Sequence, residues 1–470
     1  MLRVEQKKMY KQTKHANRCY RQKMENPVDY LIENVAYLFL DKSVNVGNLN
    51  NSTSLLKVHN EKLKDIGDIS FSINSEIWHH YFRDGEVNQA LLRKLQDDET
   101  STETKDRLLA IASQWLHYPV QSLNIQKERC ALFLNRCISI RTLLHQCLNE
   151  GGTRSCGKFY GMLENCSGPK MQVSQQADCR DVTNLSVYRA CLIKNVLQRI
   201  LDYCVWKEEK NANEVDVATM QLHVVSVVEE VANNKQTFTN NQNLVIRCGL
   251  VRDSASGKLA QITTEEYLSM RTADMRLMAM HKYGIRAKND QRLCALMERL
   301  GTAAVTVDLL EVKYSSPVQI IRNGQGSTKG ASFILYNSAR LETLLRRFEE
   351  LVTSASYAQL PPIEEINFEL LCEEEEWQLC FGYIFQFPNL MARCLEQIKQ
   401  GVCATHLIVR YLSGFVAVFS IYYRRIRILT QETRAHLMPY VYARIYLIKA
   451  TRSILNKTLA LLSIEPVLFM

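Results

Sequence analysis

The sequence predicts a mixed fold, in which an α/β region is followed by an all-α helical bundle. Three observations carry this prediction. Two apolar stripes with helical spacing follow residue 400, two β-branched runs lie at 222–231 and 244–248, and three glycines interrupt the chain at 323–330. Apolar residues three and four apart indicate a helix with one buried face, and short apolar runs near helices indicate buried strands.

The α/β prediction rests on the region between about 124 and 318. Segment 185–203 has the pattern of an amphipathic helix, and the runs at 222–231 and 244–248 have that of short buried strands. Helices next to such strands indicate an α/β layer. The glycine-rich, polar segment 323–330 is typical of a flexible connector and predicts a domain boundary.

Two apolar stripes predict the bundle. The first, assigned to one long helix, comprises Ile408, Leu412, Phe415, Phe419, Tyr422, Ile426 and Leu429. The second comprises Val441, Ile445, Ile448, Leu455, Leu459 and Leu462. Because each stripe must be buried against neighbours, a helical bundle follows. We therefore expect a basic, disordered arm at 1–25, an N-terminal domain at 26–120, an α/β core at 121–326 and the helical domain at 327–470.

Charge is concentrated near the two ends of the sequence. Of the net charge of +9, residues 1–23 carry eight basic side chains against one acidic, and residues 401–470 carry nine against two. This distribution suits a polyanionic partner. A solvated surface with a disordered tail is the alternative.

Composition excludes several classes of protein. No apolar stretch follows the first residues, so no secretory signal is expected. The most apolar helical segment, 412–421, is predicted to be too short to cross a bilayer, which favours a soluble protein. The fifteen cysteines form no C-x-x-C pair, and we expect buried free thiols in a reducing cytoplasm rather than disulfides or a zinc site.

Arginines and tyrosines alternate near the end of the sequence. The basic residues are Arg410, Arg424, Arg425, Arg427, Arg444, Lys449, Arg452 and Lys457, and the aromatic ones are Tyr422, Tyr423, Tyr440, Tyr442 and Tyr446. Guanidinium groups bind phosphates, and exposed aromatic rings stack on the unpaired bases of RNA loops. The alternative is that most of these tyrosines belong to the core or its boundary.

Four stretches in order resemble one known domain. They are A-S-F-I-L-Y-N-S-A-R-L at 331–341, the acidic run before Trp377, the segment 410–429, and the segment 443–466. Together they are similar to the DALR anticodon-binding domain of arginyl-tRNA synthetases over about 331–470. The resemblance implies contact with the anticodon stem and loop by Tyr336, Asn337, Arg340, Tyr423, Arg427, Arg444 and Met470. Arg424, Arg425 and Arg452 complete the predicted tRNA-binding set.

The upstream resemblance to a class I synthetase is degenerate. Residues 184–191 can be aligned with the signature H-x-G-H-L-R-S-T, where Asn184 and Val187 replace the histidines and Ser186 the glycine. The second ATP loop is reduced to 257–263 with a lone Lys258. Since the replacements cannot supply charge-assisted hydrogen bonds to phosphate, the sequence predicts a non-catalytic, degenerate synthetase-like core.

The motif T-T-E-E-Y at 263–267, the linker 327–330 and the tail are similar to the DALR anticodon-binding-domain-containing proteins of animals. That resemblance implies a cytoplasmic adaptor that binds arginine tRNA for a methyltransferase-like enzyme, which makes 3-methylcytidine in the anticodon loop. The methyl donor S-adenosylmethionine would belong to the partner, so no cofactor or metal is expected here, and no membrane or DNA partner. The alternatives are an RNA-free interaction scaffold and, least favoured, an active arginyl-tRNA synthetase.

Overall fold

The computed structural model describes residues 26–40, 55–82, 87–96, 101–149, 159–174, 182–206, 219–228, 243–283, 291–320, 328–430 and 435–468. The predicted arm at 1–25 and residues 323–327 of the predicted connector lie outside this part. Residues 328–330 were also assigned to the connector. That assignment is wrong, because they form the first turn of a long helix.

Helices alternate with strands before residue 328, and the described elements after it are helical. The helices are α1 (Pro27–Phe39), α2 (Leu63–Ile66), α3 (Ser75–Tyr81), α4 (Gln89–Gln96), α5 (Ser101–Ala112), α6 (Arg136–Leu148), α7 (Leu185–Asp202), α8 (Thr264–Tyr283), α9 (Gln291–Leu310), α10 (Thr328–Thr353), α11 (Glu374–Trp377), α12 (Phe387–Lys399), α13 (Thr405–Arg425) and α14 (Met438–Leu461). Short 3₁₀ turns span Ile363–Glu365, Phe368–Leu370 and Ala435–Leu437, and a π-helix spans Gln378–Ile384. The strands are β1 (Leu56–Val58), β2 (Ile69–Ser72), β3 (Val120–Gln126), β4 (Arg129–Leu134), β5 (Leu163–Cys166), β6 (Met171–Val173), β7 (Cys204–Trp206), β8 (Met220–Ser226), β9 (Asn243–Cys248), β10 (Val251–Asp253) and β11 (Val318–Ile320). The predicted mixed fold class is therefore confirmed.

Packing divides the chain into two compact units that are each assembled from separate segments. Unit 1 combines 1–162, 350–393 and 421–451, and unit 2 combines 163–349, 394–420 and 452–470. This grouping differs from the four consecutive segments predicted from the sequence. The predicted domain boundaries stay a prediction. Helices α10, α12, α13 and α14 each contribute residues to both units.

Unit 1 contains an antiparallel sheet with the strand order β1-β2-β4-β3. Its core is aromatic: the ring centroid of Phe39 lies 5.3 Å from that of Phe71 and 4.9 Å from that of Trp78. The indole Nε1 of Trp78 donates to the carbonyl of Ser72 at 2.8 Å. This bond satisfies the one polar group of a fully buried ring.

Unit 2 contains the α/β layer. Strands β6, β8 and β9 form a parallel sheet, and β10 pairs with β11 in parallel as well. Helix α7 connects β6 towards β8, as parallel strands require. Helix α7 confirms the predicted amphipathic helix: Leu192, Val196 and Ile200 are buried, whereas Asn195, Gln198 and Arg199 are exposed. The first half of the helix is buried on nearly all sides. It includes Arg189, whose fully buried guanidinium donates to backbone carbonyls, including that of Ser316 at 2.7 Å.

The two predicted helical stripes lie on α13 and α14. The first stripe is buried as far as Tyr422. However, α13 ends at Arg425, so Ile426 and Leu429 lie beyond the helix instead of extending it. A tertiary contact holds the chain that follows, because the hydroxyl of Tyr357 donates to the carbonyl of Thr430 at 2.9 Å and accepts from its N–H at 3.0 Å.

Helix α13 also corrects the prediction about membrane spans. With 21 residues and a mean hydropathy of 1.3, it is the one helix of the described residues that is long and apolar enough to cross a bilayer. The predicted shortness of this apolar segment was wrong. Core helices of soluble proteins have the same properties, and Ile408, Leu412 and Phe415 are buried within the fold.

The described cysteines follow the prediction of buried free thiols in part, since Cys137, Cys204 and Cys294 are only half-buried and Cys372 is exposed. Cys130, Cys248, Cys380 and Cys403 are buried free thiols. Cys191 is disulfide-bonded, so the prediction of free thiols is wrong at this position. Among the described residues no group of three or more His, Cys, Asp or Glu side chains could hold a metal ion.

Candidate nucleic-acid interface

Glutamates of the run 373–376 pair with two of the predicted arginines of unit 1, Arg425 and Arg444. Glu373 is the N-cap of α11, and Glu376 completes a capping box by accepting the N–H of Glu373 at 3.0 Å. Such reciprocal bonds satisfy the free N–H groups at a helix start. The carboxylates of Glu373, Glu375 and Glu376 face arginines on α13 and α14. That of Glu374 accepts from Leu63 N at 2.7 Å instead.

Glu376 is the buried centre of this arrangement. Its Oε1 accepts from Tyr422 Oη at 2.9 Å and from Arg444 Nε at 3.0 Å. Burial raises the pKa of Glu376, while its hydrogen bonds and the charge of Arg444 lower it. Burial also raises the pKa of Tyr422 well above its usual range. Arg444 is therefore held inside the domain, with its side chain only 15% exposed.

Arg425 is paired with the same acidic run but stays at the surface. Its Nη1 donates to Glu375 Oε1, and its Nη2 lies 3.7 Å from Glu373 Oε2. The side chain of Arg425 is 52% exposed, whereas that of Glu375 is 10% exposed. The hydrogen bond that Arg425 donates to Glu375 raises the pKa of Arg425. One face of this guanidinium is thus neutralised from within the protein.

The other predicted arginines of unit 1 are more open. Arg424 is exposed and makes no described contact, and Arg427 is exposed and donates from Nε to the carbonyl of Leu429 at 3.3 Å. The carbonyl of Arg427 in turn accepts from Arg444 Nη1 at 3.4 Å. Arg424 and Arg427 are the guanidinium groups of this cluster that are best placed to meet phosphate.

The interleaved tyrosines divide into two groups. Tyr423 and Tyr440 are each 37% exposed, and the guanidinium of Arg444 lies 5.9 Å from the ring centroid of Tyr440. Tyr422 is buried, and Tyr446 donates to the carbonyl of Pro361 at 2.6 Å. The alternative assignment to the core thus holds for Tyr422, whereas Tyr423 and Tyr440 expose ring surface that can stack on bases.

Unit 2 contains the second predicted group, on α10. Arg340 Cζ lies 4.2 Å from the ring centroid of Tyr336, and Arg340 Nη2 donates to Tyr336 Oη at 3.1 Å. Asn337 is fully buried, donates to the carbonyl of Phe333 at 2.8 Å and accepts from Arg340 Nη1 at 3.4 Å. Its burial assigns Asn337 to positioning Arg340 and argues against direct contact with RNA.

The last two predicted residues have different outcomes. Arg452 Nη1 lies 3.4 Å from Glu342 Oε2, and the Arg452 side chain is 38% exposed. Met470 lies outside the described residues. Residues 424, 425, 427 and 444 form one group in unit 1, and residues 336, 337 and 340 form another in unit 2.

Comparison with known proteins bears on this interface. The family model of the DALR anticodon binding domain matches residues 334–470. This segment is a DALR anticodon-binding domain. It contains all ten residues of the predicted tRNA-binding set.

Two curated relatives extend the comparison beyond the DALR domain. DALR anticodon-binding domain-containing protein 3 of Danio rerio is 30% identical over 267 residues, which are 53% of this chain and 47% of that protein. The arginine–tRNA ligase of Carboxydothermus hydrogenoformans is 29% identical over 133 residues, 28% of this chain and 21% of the ligase. The chain spans about half the length of the animal relatives it matches.

A solved structure shares the fold over most of the chain. The arginyl-tRNA synthetase of Plasmodium falciparum aligns with a TM-score of 0.54 and 9% identity, covering 95% of this chain and 100% of that one. The α/β region and the DALR domain together thus have an arginyl-tRNA synthetase-like fold. The animal relatives are named for their DALR domain and not as synthetases, which agrees with a non-catalytic chain.

The degenerate signature upstream of the DALR domain has a structural role. Asn184 is the N-cap of α7, and its side chain accepts from Ser186 N at 2.9 Å and Val187 N at 3.3 Å. The Ser186 hydroxyl accepts from Val251 N at 2.9 Å. These contacts occupy the N–H groups that a helix start offers to an anion. The side chains that replace the signature therefore cap a helix and join it to a strand.

The reduced second loop is a tight turn. Asp253 Oδ1 accepts from Ala255 N at 2.8 Å, and Gly257 adopts a φ of +66° that favours glycine. Lys258 is exposed at this turn.

Sequence reasoning missed the pairing of Glu373, Glu375 and Glu376 with arginines. The available signal was the run of four glutamates at 373–376 in a domain rich in arginine. Which glutamate meets which arginine depends on tertiary packing.

Proposed function

We propose that this chain is a tRNA-binding adaptor that recognises arginine tRNA through its DALR domain and presents it to a partner enzyme. The partner is a methyltransferase-like protein that forms 3-methylcytidine in the anticodon loop and carries S-adenosylmethionine. The adaptor itself is non-catalytic and works in the cytoplasm.

The observation that carries this proposal is the Tyr336–Arg340 pair within the DALR domain. The stacked guanidinium is fixed by Tyr336 and Asn337, so little side-chain freedom is lost when a base or phosphate binds. Exposed Arg424 and Arg427 in the same domain add groups for phosphate. Arginine and aromatic surface together are suited to an anticodon loop with unstacked bases.

The upstream region supports the non-catalytic part of the proposal. A synthetase requires charged donors to the ATP phosphates during adenylate formation; Asn184 carries no charge, and Val187 has no polar side-chain group. We therefore expect no arginine-dependent ATP–pyrophosphate exchange.

A second candidate function is an interaction scaffold without RNA. It is favoured by the internal pairing of three predicted arginines: Arg425 with Glu375, Arg444 with Glu376 and Arg452 with Glu342. Paired in this way, they would serve stability instead of RNA recognition.

Capture of the protein from cells, with sequencing of the bound small RNAs and identification of bound proteins, separates the candidates. The adaptor predicts enriched arginine tRNAs and a methyltransferase, and loss of 3-methylcytidine from those tRNAs in cells lacking the protein. The matched control is the Tyr336→Ala, Arg340→Ala variant with an unchanged melting temperature, which should lose the tRNA. An RNA-free wild-type preparation would establish the scaffold.

A further inference from the structure

Glu375 is an unusual partner for a surface arginine. Its residue is 7% exposed, and its Oε1 accepts from Arg425, whose side chain is half exposed. Its Oε2 is buried and has no hydrogen-bond partner among the described residues. A carboxylate retained for stability alone would be expected to satisfy both oxygens, because an unpaired buried acceptor is destabilising.

The charge around this pair opposes polyanions. Glu373 lies 3.7 Å from Arg425 on the side of Nη2, so two carboxylates face one guanidinium. Arg444 is already matched by Glu376. The acidic run thus cancels much of the positive charge that Arg425 would otherwise present beside Arg424 and Arg427. A phosphate that approaches Arg425 must compete with Glu375 in addition to shedding water.

We propose that Glu375 is a specificity-determining residue of the RNA-binding surface, because it neutralises Arg425 and so weakens the binding of RNA that lacks the matching shape. This inference rests on the proposed function and deepens it. Specific binding needs a repulsive element against wrong partners as well as attraction to the right one. A cognate tRNA compensates for the repulsion through contacts elsewhere in the domain, whereas a non-cognate tRNA does not.

Glu375→Gln is the informative variant. The amide keeps the size of the side chain and an oxygen that can accept from Arg425, and it removes only the charge. We expect it to bind a non-cognate tRNA about three- to tenfold more tightly, the effect of one unit charge near a protein surface. Affinity for arginine tRNA should rise less, so the ratio between the two falls. The log–log salt slope should steepen by up to about one.

The matched control is Glu369→Gln, which removes the same charge from an exposed residue of unit 1 that has no described contact with Arg425. A second variant, Glu375→Gln with Arg425→Gln, should lose the gain in non-cognate binding, because the released guanidinium is absent. All variants are compared after their melting temperatures have been shown to match the wild type.

The outcomes separate this inference from the proposed function. If the wild type prefers arginine tRNA but Glu375→Gln leaves non-cognate binding unchanged or weaker, the role of Glu375 is overturned and the adaptor stands. If the wild type shows no preference for arginine tRNA, the adaptor fails and the specificity role of Glu375 fails with it, whatever Glu375→Gln does. An equal gain in Glu369→Gln also overturns the inference, since it would reduce the effect to total charge.

Discussion

Arg340 lies over the ring of Tyr336 and donates a hydrogen bond to the hydroxyl of the same side chain, at 4.2 Å from the ring centroid and 3.1 Å from Oη. The Arg340 guanidinium thus contacts Tyr336 in two ways, with its face on the ring and with an N–H group on the hydroxyl. A second N–H group of the guanidinium, on Nη1, donates to Asn337 Oδ1 at 3.4 Å. A long side chain that is flexible in isolation becomes a fixed element of the DALR domain.

Loss of this contact should weaken tRNA binding without unfolding the protein. We expect Tyr336→Ala to reduce affinity for arginine tRNA about fivefold, since a cation–π contact contributes about 1 kcal/mol. Electrophoretic shift at fixed salt measures the effect. Thr343→Ala, at an exposed position of the same helix, is the control and should bind like wild type. Equal affinities for Tyr336→Ala and wild type would remove α10 from the interface.

The exposed arginines of α13 and of the turn after it should contribute unequally to tRNA binding. Arg424→Ala should weaken tRNA binding more than Arg425→Ala, because Arg425 is already neutralised by Glu375. Replacing 424, 425 and 427 together should reduce the log–log salt slope by up to about two, one for each phosphate contact of Arg424 and Arg427. Titration of binding against salt concentration measures it, and an unchanged slope in the triple variant would contradict the assignment.

Substitution of Arg444 should lower the stability of the fold more than it weakens tRNA binding. Its removal leaves Glu376 buried without its charged partner, so Arg444→Ala should lower the free energy of unfolding by about 3 kcal/mol or more. Tyr422→Phe removes a single hydrogen bond to the same carboxylate and should cost about 1 kcal/mol. Urea denaturation gives both values, and similar small losses for the two variants would show that Glu376 is not the centre of this packing.

The cap of α7 gives a prediction about the lost signature. Asn184→Ala removes the acceptor for Ser186 N and Val187 N and should lower stability by about 1 kcal/mol. Asn184→His restores one residue of the synthetase signature, and we expect it to lose the cap without gaining arginine-dependent pyrophosphate exchange. Arginine-dependent pyrophosphate exchange by Asn184→His would contradict this expectation, because a single substitution would then have restored adenylate formation.

Asp68 predicts a defined pH dependence of stability in unit 1. Burial raises its pKa to about 6, although Arg136 and the N–H of Leu134 act in the opposite sense. The folded state then binds the proton more tightly than the unfolded state, so this carboxyl stabilises the fold most at low pH. That stabilisation is lost as the pH rises from about 4 through about 6.

The variant Asp68→Asn isolates this effect from other titrating groups. His59 has a pKa lowered to about 4 by burial and should produce the opposite trend over part of the same range. The difference in melting temperature between wild type and Asp68→Asn should therefore change between pH 4 and 6 and be constant above pH 7. A difference that does not vary with pH would contradict the raised pKa.

The periodicity of the sequence was sufficient for the fold class and for the elements with the strongest patterns. The stripes on α13 and α14 and the runs of β8 and β9 are local patterns, and burial of one face is imposed by the sequence itself. The order of motifs along 331–470 likewise indicated the DALR domain without coordinates. These features depend on residues that lie close together along the chain.

The tertiary structure alone decided which predicted arginines stay available. Arg424 and Arg425 are neighbours in sequence, yet only Arg425 meets Glu375, fifty residues away. The chain after α13 is likewise held by Tyr357, which bonds Thr430 seventy-three residues away. Local pattern carries no information about such long-range partners, because a charged side chain has the same propensity whether or not a distant carboxylate neutralises it. The sequence determined which residue types are suited to RNA, and only packing decided which of these side chains have an internal partner.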